Sequence, residues 1–352
     1  KNLENLRPDY VIHGDDWKEG IQKYTRLKVI KTLRKWSGKL IEFKYERDPK
    51  ISVIKSKFKN YSTPDLRVSK LSRLINSKSI VRTIETHSAL SALITDKLEF
   101  IQNNQFISFD ALWSSSLTDS LLRGKPDNQS VDYTARFNML NDIFESTSKP
   151  LIFDADNGGK IEHIKFLIRS LERLGVSAVA IEDKIGLKKN SLFKNQKNTK
   201  QDKIINFCRK IEKAKESTFS KDFLIIARIE SLITGKGLSD ALKRAEEYSK
   251  AGADLILIHS NKKTFNEIKS FSKKFSNSKY FKPIVAVPSS YSYVKESELI
   301  KNNIKIVIYA NQLMRASHRA MYKTASKILK SNSASTSEHS ISKIKDIISY
   351  IK

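Results

Sequence analysis

The sequence predicts an α/β fold, with one barrel of eight parallel strands, each followed by a helix. From residue 80 onward, short apolar runs alternate with segments of helical apolar spacing, and eight such runs span about 250 residues, the usual size of such a barrel. Glycines punctuate the pattern. Gly175 follows Leu171-Glu-Arg-Leu and Gly252 follows Tyr248-Ser-Lys-Ala, each at a helix stop, and each leads straight into an apolar run.

Taken in order, the strand candidates are Ile80–Glu85, Phe109–Ser114, Pro150–Asp154, Ser177–Glu182, Phe223–Arg228, Leu255–His259, Pro283–Val287 and Ile304–Tyr309. Amphipathic segments such as Ile161–Leu174 and Leu238–Ala251 separate them. The stretch Lys55–Ser79 is polar, rich in Lys and Ser, and carries Pro64, so it reads as a connector. The expected divisions are an N-terminal segment over 1–62, a linker over 63–79, the barrel over 80–330, and a C-terminal linker and helix over 331–352. Within the last, Ser331–Ser337 is a low-complexity break and Ile341–Ile351 has helical spacing.

Composition narrows the function. The 352 residues give room for a large domain and a smaller piece, and no run is apolar enough for a membrane span or secretory signal. A lone Cys208 excludes disulfide scaffolds and Cys-based zinc sites and suits a reducing compartment, so a cytoplasmic location is expected. The formal charge of +27 raises nucleic-acid binding, but Lys is scattered along nearly every helical segment, with no arginine-rich block. A solvated lysine surface that draws in anionic substrates is the expectation. A basic nucleic-acid-binding protein or non-catalytic scaffold is the reading from a different class.

The chemistry concentrates at strand ends. In Phe153-Asp-Ala-Asp-Asn-Gly-Gly-Lys160, Asp154 and Asp156 are two apart, so both carboxylates can point the same way, and Glu182 ends the next strand similarly. In a barrel these ends share the C-terminal face, where active sites are built. Clustered carboxylates call for a hard cation, and an oxygen-only set suits Mg2+ better than Zn2+. Downstream, Lys184, Lys188, Asn190 and Ser191 place cations and neutral donors in one loop able to close over a phosphorylated anion. Arg228 ends the fifth candidate strand, free to fork onto an anion or to pair with Glu230 or Glu182. His259 ends the sixth, as packing residue or rim group. Upstream, Trp113-Ser-Ser-Ser-Leu-Thr-Asp-Ser120 offers N–H and hydroxyl donors to an anion. Asp127, at the end of Arg123-Gly-Lys-Pro-Asp127, is a nearby carboxylate not needed for metal, and is the candidate for covalent or electrostatic participation.

With these motifs, residues 80–330 resemble the phosphoenolpyruvate mutase family of the isocitrate lyase superfamily. Ala227-Arg-Ile-Glu230 and Ile258-His-Ser260 complete six motifs in family order. The resemblance implies a TIM-type (β/α)8 barrel and interconversion of phosphoenolpyruvate and phosphonopyruvate, forming a P–C bond for phosphonate biosynthesis with a following decarboxylase to draw the product away. It implies Asp127 as the catalytic aspartate, with Lys188 and His259 close to bound substrate. Trp113, Ser115, Ser116, Leu117, Asn190, Ser191 and Arg228 match substrate contacts. Asp154, Asp156 and Glu182 match the Mg2+ shell, partly through water. A homo-oligomer exchanging Asn311–Leu329 is also implied. Phosphonopyruvate hydrolases share the barrel and carboxylates, and Asn190 between Lys and Ser matches the mutase version of the loop. The lyase branch carries a Cys where this chain has Gly-Lys-Pro-Asp127. Asn128, Asn157 and Gln312 depart from the family pattern, which puts fine tuning of rate and loop closure in question.

The segment Arg7-Pro-Asp-Tyr-Val-Ile-His-Gly-Asp-Asp-Trp17 resembles the later half of a cytidylyltransferase-like nucleotide-binding domain, implying a partial α/β nucleotidyltransferase-like segment before the barrel. The His-X-Gly-His phosphate motif of that family is absent and the chain begins at Lys1, so a fragment or a degenerate domain is expected. Asp15, Asp16 and Trp17 read as a remnant strand-to-helix turn.

Overall fold

Each of the eight apolar runs forms a strand, and the strands close into one parallel barrel. They are β1 (Val81–Glu85), β2 (Ala111–Ser114), β3 (Leu151–Asp154), β4 (Ala178–Glu182), β5 (Leu224–Ile229), β6 (Leu255–Ile258), β7 (Ile284–Ala286) and β8 (Ile304–Tyr309). Hydrogen bonding follows chain order around the ring, and β8 pairs back onto β1 with Ile306 opposite Val81. A computed structural model describes residues 2–18, 22–44, 62–102, 105–186, 188–191 and 199–351 and divides the chain into two units, Lys1–Lys59 and Asn60–Lys352.

Successive strand side chains point to opposite faces. Val81, Ala111, Ile152, Ala180, Ile226 and Leu257 fill the barrel interior, while Leu112, Phe153, Val179, Ile225 and Ile256 belong to the outer core shared with the helices. Both faces being buried, an apolar residue is required at nearly every position, which is why the strands read as continuous apolar runs. The helix Ile161–Leu174 shows the complementary logic: Ile164, Leu167, Ile168 and Leu171, at helical spacing, are its buried face. Its chain stops at Gly175, in the left-handed region at φ 93°. Gly252, at φ 103°, ends the helix Gly237–Lys250 in the same way.

The expectation of a linker over 63–79 is corrected. Pro64–Ser77 is a helix with Pro64 in its first turn and Arg67, Val68, Ser69 and Leu71 buried. Leu71 is fully buried in the inner core, with Leu74 and Ile75 packed against it, so this helix plugs the interior of the barrel. The Lys and Ser content concealed a stripe at Val68, Leu71, Leu74 and Ile75 with the period of a helix. A hairpin of Glu99–Gln102 and Gln105–Ser108, not anticipated, precedes β2. At the C-terminal end, the helix Gln312–Ser331 stops at Asn332, φ 48°. Part of the expected Ser-rich break is itself a helical turn, Ser335–Glu338, and the helix expected over Ile341–Ile351 is confined to Ile344–Ile348. Among the described residues no helix is long and apolar enough to cross a membrane.

The first unit has its own order. Strands Tyr10–Gly14 and Lys39–Phe43 pair in parallel and are separated in sequence by the helix Lys23–Leu33. After the first strand, Asp15–Trp17 is a single helical turn, as the strand-to-helix reading expects. Trp17 donates its indole N–H to Glu42 Oε1 at 2.7 Å, and Arg26 forks onto both Glu42 oxygens at 2.8 Å. Those donors, Arg26 first, outweigh desolvation and pull the Glu42 carboxyl down to about 2. Residues 45–61 of the expected 1–62 segment lie outside the described residues.

A Cβ on Gly175 would stand 2.9 Å from Pro64 Cα. Gly175→Ala is therefore expected to lose more than about 1 kcal/mol, since left-handed backbone alone costs about 1–2 kcal/mol for an L side chain. Urea unfolding of the variant against wild type checks the contact between the plugging helix and the barrel.

Candidate active site

Because the strands are parallel, their C-terminal ends converge on one rim. β2 delivers Trp113 and then Ser115 and Ser116; β3 ends at Asp154, β4 at Glu182, and Arg228 is the penultimate residue of β5. His259 follows β6 directly. These converge on a cavity of about 550 Å3, counting its open mouth, whose walls include every sequence-predicted site residue except Asp156, Glu182 and Lys184, the last of which pairs with Glu182 and Glu230 instead. Asp127 and Asp154 line the same cavity, with Leu117 from the Ser-rich turn and Lys188, Asn190 and Ser191 from the loop after β4. Asp156 and Glu182 are buried behind the wall. Leu187, Leu192 and Phe193 of that loop lie outside the described residues.

Asp127 is held at both oxygens. Lys188 Nζ lies 2.6 Å from Oδ1 and Asn190 Nδ2 donates to Oδ2 at 2.8 Å. The same ammonium pairs with Asp156 and donates to Ser116 Oγ, which in turn donates to Asp154 Oδ2 at 2.9 Å. Burial penalises the Lys188 charge, but Asp156, Asp154 and Asp127 outweigh that and raise its pKa. Burial likewise pushes Asp154 up, yet Lys188, Arg228 and Arg136 hold it below its usual value.

A second cluster forms around Glu230, which the sequence showed only as a possible partner of Arg228. Its Oε1 accepts Arg228 Nε at 2.6 Å and its Oε2 accepts Ser191 Oγ at 2.7 Å. Arg228 also approaches Glu182 Oε2 at 3.3 Å and donates to Ser191 Oγ and His259 Nδ1, each at 3.1 Å. Both pairings left open for Arg228 are thus made. Burial raises Glu230, but Arg228 and Lys184 prevail and keep it far below the carboxylate range. Burial lowers His259 against the opposing pull of Glu230, so its imidazole is neutral near pH 7. The spacing Arg-X-Glu at a strand end, with both side chains on one face, is the signal that could have marked Glu230.

Sequence reasoning also missed Ser289 and Asn311, wall residues that follow β7 and β8. It missed the scaffold beneath the Ser-rich turn as well. The fully buried Arg136 donates from Nε to Asp119 Oδ2 and from Nη1 to the Asp154 carbonyl, both at 2.6 Å, and stacks 4.0 Å from the Phe153 ring. The departure Asn157 has a local role, accepting the Gly159 N–H at 2.9 Å. Cys208 sits buried in the helix Ile204–Glu216, its thiol pushed up to about 11 chiefly by burial, and takes no part in the cavity.

Among the described residues no three acidic, His or Cys groups lie close enough to form a ready cage, and the cation beside Asp156 is Lys188. Neutralisation of the carboxylates therefore comes in large part from protein cations. The donor set still fits Mg2+: Glu182 Oε2 is a buried oxygen that accepts no hydrogen bond among the described residues, its cations Arg228 and Lys184 standing off at 3.3 and 3.5 Å. Mg2+ keeps several waters and takes only one or two carboxylates directly, so it does not require a closed cage.

The family model for phosphoenolpyruvate phosphomutase matches residues 71–329. The chain belongs to that family. Among characterised relatives, a phosphoenolpyruvate phosphomutase of Tetrahymena pyriformis is 32% identical over 296 residues, covering 84% of this chain and 94% of the relative. A solved phosphoenolpyruvate phosphomutase of Streptomyces platensis subsp. rosaceus superposes with TM-score 0.74 at 30% identity, over 80% of this chain and 94% of that one. A phosphonopyruvate hydrolase solved with oxalate and Mg2+ superposes with TM-score 0.71 at 28% identity, over 82% and 95%. The phosphoenolpyruvate phosphomutase match starts at residue 71, so it does not reach the N-terminal segment, and the cytidylyltransferase-like resemblance there gains no support from it.

Burial raises Glu182 to about 7, with Arg228 and Lys184 opposing. Its neutral form favours the metal-free fold at low pH, and that contribution is lost as pH rises through about 7. A cation needing the ionised carboxylate competes with this proton, so Mg2+ affinity is expected to weaken by up to about tenfold per unit below pH 7. Calorimetric Mg2+ titrations at about pH 6 and about pH 8 check this, and Glu182→Gln should flatten the difference. Arg136→Met strands Asp119 uncompensated in the core and is expected to cost about 3–5 kcal/mol, read by urea unfolding.

Proposed function

We propose that the protein is a Mg2+-dependent phosphoenolpyruvate mutase, interconverting phosphoenolpyruvate and phosphonopyruvate. The observation that carries this reading is Asp127, fixed at both oxygens by Lys188 and Asn190 and sharing a cavity with Asp154 and Arg228. A phosphoryl group leaving the enol oxygen meets the Asp127 carboxylate, which takes or shepherds it toward the C3 carbon. The P–O bond breaks, the P–C bond forms, and the enolate becomes the pyruvyl carbonyl. Arg228 and Asn190 supply donors to phosphoryl oxygens, with Ser191 bridging Arg228 and Glu230 beside them, while the Ser115–Leu117 turn and neutral His259 complete the anion cradle. Lys188 holds positive charge beside Asp127, favouring approach of an anionic phosphoryl group. Asp154, with Asp156 and Glu182 through water, would hold Mg2+, which when bound supplies Lewis-acid polarisation of the pyruvyl oxygens.

The hydrolase reading is the rival, because the likeness to a phosphonopyruvate hydrolase is nearly as strong as that to the mutase. Asn190 lying over Asp127 Oδ2 favours transfer to carbon, since it restricts water at that carboxylate. The chain is also proposed to act as a homo-oligomer. The helix Gln312–Ser331 has no buried residue and exposes Met321, Tyr322 and Leu329, an apolar surface suited to a second copy.

Phosphonopyruvate incubated with Mg2+ and followed by phosphorus NMR is expected to yield phosphoenolpyruvate. Release of free phosphate would establish the hydrolase, and absence of turnover would remove both. Asp127→Ala is expected to lower kcat by about 10^4-fold with an unchanged circular dichroism spectrum. Light scattering of Leu329→Asp against wild type is expected to show a smaller assembly.

A further inference from the structure

Behind the cavity, and not part of its wall, lies a fully buried cluster centred on Asp183. Asp183 Oδ1 accepts the backbone N–H of Glu230 at 3.0 Å. Its Oδ2 accepts Gln201 Nε2 at 2.7 Å, the Tyr248 hydroxyl at 2.8 Å and Arg244 Nη1 at 3.1 Å. Arg244 and Tyr248 come from the helix Gly237–Lys250, where both are buried. Arg244 Nη1 donates in turn to the Tyr248 oxygen at 2.7 Å, so the two donors hold each other in place.

The same residue organises the base of the loop carrying Lys188, Asn190 and Ser191. Lys184–Ile185 and Lys200–Gln201 pair as short antiparallel strands, and Asp202 donates its N–H to the Asp183 carbonyl at 2.7 Å. Gln201 also donates to Ser231 Oγ at 3.0 Å. One side chain therefore ties the strand end bearing Glu230 to the segment bearing the loop. Here the groups joined are those whose relative position decides whether Arg228 and Ser191 point at one anion.

We infer that Asp183, clamped by Arg244 and Tyr248, is a positioning residue that fixes Glu230 and thereby the aim of Arg228 and Ser191 at the substrate anion. The inference rests on the proposed anion-binding role of that cavity. Tyr248→Phe removes one donor and keeps the ring that packs 4.7 Å from Phe207. Tyr291→Phe is the matched control, since that hydroxyl is buried without a hydrogen-bond partner among the described residues.

For wild type, both tyrosine variants and Gln201→Leu, three quantities are measured: kcat and KM for phosphonopyruvate with Mg2+, oxalate affinity with Mg2+ by calorimetry, and thermal unfolding. Tyr248→Phe and Gln201→Leu are expected to raise KM and the oxalate Kd about fivefold, a fraction of the more than about tenfold that one buried hydrogen bond to a charged group is worth because the remaining donors still hold Asp183, with kcat changed less. Tyr291→Phe is expected to leave all of these unchanged. A lower melting temperature in Tyr248→Phe with unaltered KM and oxalate Kd overturns the relay and reduces the cluster to a core tie. Weakened oxalate binding in a protein that never turns over phosphonopyruvate keeps the relay and sinks the mutase reading. Wild type that fails to bind oxalate overturns both.

Discussion

The ion pair between Arg228 and Glu230 is the interaction on which the mouth of the barrel depends. Both groups are largely withdrawn from water, and a buried charge without a partner costs several kcal/mol. Once Glu230 is fixed it orients Ser191 and Arg228, and Arg228 then reaches Glu182 and His259. A second pairing, Lys188 between Asp127 and Asp156, does the same for the carboxylates of the Asp127 turn and the acidic strand end. The cavity is therefore shaped by charge compensation as much as by apolar packing, and Glu182 and Glu230, both buried, part according to how closely a cation approaches each. Glu182, with weaker partners at 3.3 and 3.5 Å, is raised to about 7, whereas Glu230, with a direct 2.6 Å contact, is held far below the usual range.

This arrangement bears on catalysis because it prepares the site before substrate arrives. Donors that are already oriented need not reorganise when charge develops on a migrating phosphoryl group, and that is the main way a protein lowers such a barrier. The neutral His259 and the cationic Arg228 sit side by side, so the rim offers one permanent charge and one uncharged donor or acceptor. Arg136 serves from below, bonding the carbonyls of Ser114 and Asp154 and so setting the register between the Ser-rich turn and the acidic strand end.

Much of the fold was legible in the sequence. Strands buried on both faces must be apolar throughout, and the glycine stops at Gly175 and Gly252 sit where positive φ is required. The helix Pro64–Ser77 was not legible, because its apolar stripe is narrow and interrupted by Lys, Arg and Ser, some of which are themselves buried. Site residues at strand ends were legible for a topological reason: parallel strands put all their C-terminal ends together whatever the sequence between them. Ser289 and Asn311 escaped since nothing local distinguishes them from ordinary loop residues, while Glu230 was read only as a pairing residue although its Arg-X-Glu spacing puts it on the face of Arg228.

The sequence by itself determined which residues reach the rim, because strand order in a parallel barrel follows chain order. Only the tertiary structure decided their partners. That Lys188 would neutralise Asp156, or that Asp183 would gather Arg244, Tyr248, Gln201 and the Glu230 amide, depends on distances between elements far apart in the chain. Electrostatic pairing falls steeply with separation and with exposure to water, so it is fixed by packing and cannot be read from residue type or spacing.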